Sequence, residues 1–220
     1  MDIILATAVR DSRREGIAVP SSKPTRGFGL LEGFLASKRA RIADKLVPPE
    51  HRAHRVLDIG CGTHPVFLLK TDFAEKFGLD KVVDESMRGA LRDEGITLVN
   101  FEIEAGESIP FDGDSFGVVT MLAVVEHIEP ERLAKLFAEI LRILKPGGFL
   151  IVTTPAAWTE APLRLMARLR LVSSVEIEEH KGSYSPSHIR SILERAGFAN
   201  SSIQHGYFEM FANMWVLARK

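Results

Sequence analysis

A chain of 220 residues, 45% hydrophobic and 26% charged, can bury the core of one elaborated domain and is too apolar to be disordered. Its single cysteine, Cys61, excludes an internal disulfide framework and fits a reducing cytoplasm. The net charge of −1 conceals an asymmetry: residues 1–55 carry 11 Lys/Arg against 6 Asp/Glu, residues 56–155 carry 9 against 17, and residues 156–220 carry 8 against 6.

A basic arm lying on an acidic domain accounts for that distribution. The arm's "ASKRAR" is also placed to meet an anionic substrate. No stretch has the basic density and interleaved aromatics of a nucleic-acid binder, so no nucleic-acid partner is expected. No run reaches the roughly eighteen apolar residues of a membrane span. In "MDIILATAVR" an acid precedes the apolar run and the base follows it, the wrong order for a secretory signal. These features imply a soluble cytoplasmic protein.

In chain order, residues 1–29 mix Ser, Pro, Gly and charge without period and read as extended. Residues 30–46 place Leu31, Phe34, Leu35, Ile42 and Leu46 near one helical face, and "VPPE" ends that helix. "RVLDIG" reads as a buried strand, followed by a short helix and a strand ending at Asp80. A helix around "SMRGALRDEG", the strand "ITLVNFEI", the loop "EAGESIPFDGDS" and the strand "FGVVTML" come next. In the following helix Leu133, Leu136, Phe137, Ile140, Leu141 and Leu144 recur at three and four, with Pro130 at its start and "KPGG" after it. "FLIVTTP" is a buried strand, residues 156–180 an amphipathic insertion, and "YSPSHIRSILERAGF" a helix with a Ser-Pro start and Gly197 as its stop. The tail predicts two strands, a closing antiparallel pair whose Phe and Met residues belong to the core. Strands alternating with helices imply an α/β fold, an open and mostly parallel sheet covered on both faces. Ligands of such sheets bind beyond the strands' carboxyl ends.

The stretch "VLDIGCGTHP" tests which ligand. Gly60 and Gly62 leave backbone bare after the first strand, as a close-lying ligand requires. A dinucleotide also needs its pyrophosphate on a helix N-terminus, with a third glycine where this chain has Pro65. A nucleoside without a pyrophosphate fits better. Asp80, at the second strand's end, can accept hydrogen bonds from both ribose hydroxyls, and Gly78 two residues earlier gives room beside a ligand. Asp84 is the rival if the strand runs through "LDKVVD". Glu102 at the third strand's end can accept from an adenine amine, with Ile103 beside the ring.

The motifs "VLDIGCG", "GLD", "IPFDGDSFGVV", "MLAVVEHI", "LRILKPGGFLIVTTP" and "LERAGF" follow one another in the order of a known family. Over residues 54–220 the chain resembles the class I S-adenosylmethionine-dependent methyltransferases, most closely the small-molecule branch of ubiquinone and menaquinone type. That resemblance implies a Rossmann-like, doubly wound sheet of seven strands with the last antiparallel, and an N-terminal cap on residues 1–53. It implies S-adenosylmethionine as cofactor, with Asp58, Gly60, Cys61 and Gly62 around its methionine part. Asp80 would take the ribose, Glu102 and Ile103 the adenine, and Leu122 would lie near the sulfonium. Two positions depart from the family: His64 replaces a usual glycine, and Gly117 the aspartate of "FD".

Methyl transfer needs alignment of acceptor, methyl and sulfur, and a hydroxyl acceptor also needs a base. His127, after the fourth strand, and His180, before the last long helix, are the candidates; turn capping and a solvated loop are their plainer roles. Glu126 is expected to hydrogen-bond locally. Cys61 has no histidine partner in sequence and no nucleophilic role is expected. No His and Cys set at ligand spacing points to a metal. "APLRLMARLRLV" in the insertion, with Arg164, Arg168 and Arg170, suits a lid over an acidic or sugar-like acceptor, or a homodimer contact. The expected function is methyl transfer to a small molecule, oxygen ahead of nitrogen or carbon. A nicotinamide-dependent oxidoreductase and a non-catalytic cofactor-binding relative are the alternatives.

Overall fold

A computed structural model of the chain describes residues 32–81, 85–103, 108–159 and 184–220. Five apolar segments form parallel strands, β1 (Arg55–Ile59), β2 (Glu75–Asp80), β3 (Ile96–Asn100), β4 (Phe116–Leu122) and β5 (Leu144–Pro155). The tail supplies β6 (Ile203–Phe208) and β7 (Asn213–Arg219), and all seven join in one sheet of order β3-β2-β1-β4-β5-β7-β6. Only β7 runs against its neighbours, pairing antiparallel with both β5 and β6. The order reverses beside β1, whose partners are β2 on one side and β4 on the other. A crevice opens at such a reversal, beyond the strands' carboxyl ends.

Alternation along the strands divides the core between the two faces. Leu57, Val119 and Leu150 face one cluster, shared with helices α4 (Pro130–Ile143) and α5 (Pro186–Arg195). Val56, Val118 and Ile151 face the other, shared with α1 (Glu32–Leu46), α2 (Val66–Lys70) and α3 (Glu85–Asp93). The predicted start of α5 holds: the Ser185 hydroxyl accepts from the His188 N–H at 3.2 Å, and Gly197 follows the helix at φ +107°.

Three details differ from the sequence reading. The buried side of α1 is Ala40 and Ala43, with Val47 just beyond, while Phe34 is 57% exposed beneath the Lys38 ammonium. Small side chains let the helix approach the sheet closely, so α1 is a layer on one face. β5 begins earlier than "FLIVTTP", at Leu144 opposite Phe116; its register then shifts, and Val118 pairs with Phe149. Pro146 has no N–H for the ladder and Gly147 sits at φ +78°, which accounts for the irregularity. The β6–β7 turn is not core: Glu209, Met210 and Phe211 all have positive φ, and Met210 and Phe211 stand exposed. Trp158 donates its indole N–H to the Phe211 carbonyl at 3.0 Å and holds that turn against the end of β5.

Since Ala43 is wholly enclosed between α1 and the sheet, Ala43→Leu should overpack the interface and lose about 1–3 kcal/mol of stability. A urea unfolding midpoint measures this. A stabilised variant would mean that α1 packs through its larger side chains.

Candidate functional site

The reversal in strand order brings the ends of β1, β2 and β4 together. The N–H of Gly60 extends the β1–β2 ladder by donating to the Leu79 carbonyl at 2.7 Å. Gly60 and Gly62 turn the chain away at φ +71° and +67°, conformations that disfavour any side chain. Their surroundings differ. A Cβ on Gly60 would lie 2.5 Å from Val124 of the loop after β4, whereas one on Gly62 would meet nothing within 4 Å. Gly60 is bare because the protein closes on it; Gly62 is bare beside open space.

Two buried carboxylates lie near this loop. Asp58, opposite Thr120 in the β1–β4 register, is 4% exposed and accepts the Thr120 hydroxyl at 2.6 Å. Asp80, 6% exposed, accepts the Gly62 N–H at 2.9 Å. The second glycine and the β2 carboxylate are thus fixed to each other. Thr120 was unreadable in sequence, because strand register alone makes it the partner of Asp58. Gly78 does not make room for a ligand: a Cβ there would fall 2.7 Å from the Cys61 sulfur and 2.7 Å from Leu98. Pro65 immediately precedes α2 and brings no side-chain cap.

The remaining expected residues lie around this edge. Leu122 ends β4 half-buried, and Ala123 after it turns at φ +59°, its N–H donating to the Thr153 carbonyl at 2.9 Å. Glu102 is exposed just past β3, while Ile103 is half-buried against the core. His127 is half-buried at the end of a 3-10 turn (Val125–His127), its backbone N–H donating to the Val124 carbonyl at 3.0 Å. Glu126 lies within the same 3-10 turn. It is 3% exposed, and its Oε2 has no hydrogen-bond partner. Beside this loop Tyr184 is buried and donates its hydroxyl to the Ile128 carbonyl at 2.8 Å, a tie between the β4–α4 loop and the segment before α5 that sequence reasoning missed. His180, Asp84 and the arginines 164, 168 and 170 lie outside the described residues. Among the described residues no group of three His, Cys, Asp or Glu could hold a metal ion, and no helix is long and apolar enough to cross a membrane.

The model of a methyltransferase domain family matches residues 30–203. The chain belongs to that family. Its methyl donor is S-adenosylmethionine. Over 103 residues the methyltransferase is 35% identical to an uncharacterized methyltransferase, YcgJ, of Bacillus subtilis; the match covers 45% of this chain and 40% of that protein. It is 24% identical over 212 residues to a ubiquinone biosynthesis O-methyltransferase of Sinorhizobium fredii, covering 89% of this chain and 84% of the relative. Among solved structures, a SAM-dependent methyltransferase from Thermotoga maritima, described as a possible histamine N-methyltransferase, superposes with a TM-score of 0.63 at 21% identity. That superposition covers 85% of this chain and 92% of the other, and it shows a shared fold.

Electrostatics at the methyltransferase's carboxyl edge follow from burial. Removal from water pushes the Asp58 carboxyl up to about 7, the nearby Asp80 charge adds to the rise, and the Thr120 hydrogen bond opposes it. The Cys61 thiol is driven well above its ordinary value by burial and then by Asp58 and Asp80, so it stays protonated and unreactive. Burial, then the carboxylates of Glu129, Glu126 and Glu131, raise the Tyr184 phenol. Asp58, Cys61 and Tyr184 are each held toward the neutral form, a setting that favours an incoming positive charge.

The sign for stability is definite. The folded Asp58 binds its proton more tightly than the unfolded chain does, so stability falls as pH rises from the ordinary carboxylate range to about 7. Asp58→Asn keeps an acceptor for Thr120 and removes that dependence. Its melting temperature relative to the wild type should climb between roughly pH 4 and 7 and level off above. A constant difference across that range would show that Asp58 is already ionised in the fold.

Proposed function

We propose that this methyltransferase methylates a small-molecule acceptor at oxygen, with the donor held at the carboxyl ends of β1, β2 and β3. The observation that carries the site is the pair of buried carboxylates, Asp58 and Asp80, near the loop where Gly62 leaves its backbone open. The donor's ammonium and sulfonium are cationic, and a ribose brings two hydroxyl donors; buried carboxylates suit both. When bound, S-adenosylmethionine supplies an electrophilic methyl group whose transfer removes the positive charge on sulfur.

The chain's own work is positioning. The bare loop from Gly60 through Cys61 to Gly62 receives the methionine end, with Asp58 beneath it. A carboxylate offers about four acceptor sites, so Asp80 can hold the Gly62 N–H and still accept ribose hydroxyls. Glu102 and Ile103 take the adenine, one by its carboxylate and one by apolar contact. Leu122 lies against the sulfonium end and helps exclude water. Holding donor and acceptor in line is worth up to about 7–11 kcal/mol of the barrier. His127 stands on the β4–α4 loop as the base for a hydroxyl acceptor, with His180 a second candidate from sequence alone.

The likeness to a ubiquinone biosynthesis O-methyltransferase supports a small molecule and an oxygen. The acidic or sugar-like character of the acceptor, and a homodimer contact, rest on the arginine-rich stretch around residues 164–170, read from sequence. Family membership sets aside the nicotinamide reading.

Calorimetry with S-adenosylhomocysteine tests the site. Losing charged hydrogen bonds to the ribose, Asp80→Ala should bind about 10- to 100-fold more weakly. Gly62→Ala should cost only about 1–2 kcal/mol of stability, the left-handed penalty, yet block the methionine end. Affinity unchanged in both variants would place the cofactor elsewhere.

A further inference from the structure

Gly117, which stands where the resembled family has aspartate, is left unexplained by the cofactor site. It lies at the amino end of β4, five residues before Leu122, hence roughly 16 Å from the carboxyl edge at a strand's usual rise. A Cβ on Gly117 would fall 2.6 Å from the Cβ of His54, whose ring lies over that backbone. A Cβ on Gly148 of β5 would fall 2.9 Å from the Lys145 carbonyl oxygen and 3.0 Å from that of Gly117. Protein fills the space at both glycines, and beside them lies a cavity of about 370 Å³ lined by His51, His54, Asp114, Gly117, Lys145 and Gly148. That volume falls within the range of small-molecule sites.

The charge of the lining is one-sided. The cavity's lining includes one lysine, Lys145, and two histidines, His51 and His54. The carboxylate among them, Asp114, is already paired with the Lys220 ammonium at 2.7 Å. His51 stacks on the Phe149 ring at 4.5 Å between centroids, and its buried Nδ1 has no hydrogen-bond partner. Burial, then His54, hold the His51 imidazole below its ordinary value, and Arg219 adds to this; Glu50 and a hydrogen bond to the Gly117 backbone oppose it. Two histidines and a carboxylate already paired with lysine do not make a cation site.

We propose that this cavity binds a small organic or phosphate anion, at the opposite end of the sheet from the methyl-transfer site. The ligand's negative charge meets Lys145 and the two imidazoles, with the His51 ring nitrogen donating once protonated.

The test is a titration of the whole protein with citrate and, separately, with pyrophosphate, following the ring nitrogen signals of His51 and His54 by NMR. Sodium chloride at matched ionic strength is the control. At least one anion should give saturable shifts with a Kd of about 1 mM or tighter, weakened about tenfold or more by Lys145→Glu. S-adenosylhomocysteine affinity should be the same in that variant. Response to citrate alone assigns a carboxylate ligand, and response to pyrophosphate alone a phosphate. Where Lys145→Glu melts early, His54→Gln, which keeps a polar side chain over Gly117, decides by the same loss. Shifts that chloride reproduces, that neither anion saturates, or that both folded variants retain would overturn the proposal.

Discussion

The loop after β4 closes on the bare backbone of Gly60, and the carboxyl edge of the sheet is arranged around that contact. Val124 occupies the space a side chain at Gly60 would fill. With the two loops in contact there, the chain at Gly62 turns outward, and its N–H is fixed by the Asp80 carboxylate. The same closure keeps Asp58 out of water between β1 and β4, where the Thr120 hydroxyl is its hydrogen-bond donor. One close approach thus sets which glycine serves packing, which faces open space, and which acid is buried.

Electrostatic consequences follow from that geometry. A parallel sheet covered on both faces offers little water to its interior side chains. Burial therefore pushes the Asp58 carboxyl up to about 7, and Cys61 beside it remains a neutral thiol. A cation arriving at this edge relieves the strain of two neighbouring acids, so the features that weaken the fold at neutral pH are those that suit a sulfonium and an ammonium. At the amino edge the balance is reversed: His51, His54, Lys145 and Arg219 gather where Asp114 is already neutralised by Lys220. The two ends of the sheet carry opposite deficits.

Much of this was legible in the residues. Continuous apolar runs located the strands and a three-to-four spacing located α4, because a parallel strand covered on both faces is apolar throughout while a helix buries one stripe. "VLDIGCG" and "GLD" pointed to the loop and the carboxylate that meet at 2.9 Å. The reading failed where side-chain size or strain outweighed hydropathy. In α1, alanines are buried and Phe34 is not, since close helix–sheet approach selects small residues. Gly78 looked like room for a ligand and instead makes room for Cys61 and Leu98. Met210 and Phe211 looked like core and stand on a turn of three consecutive left-handed residues.

By itself, the sequence determined the fold class, the order of the elements, the family and the type of cofactor, because each is written in local periodicity or in contiguous motifs. Only the tertiary structure decided that Thr120 serves Asp58, that Val124 explains Gly60, that Glu126 is buried with an unpartnered oxygen, and that Gly117 packs under His54 beside a cavity at the far edge. These relations join residues 62 to 64 positions apart: Asp58 and Thr120, Gly117 and His54, Gly60 and Val124. They are set by strand register and by the approach of loops that no local pattern encodes.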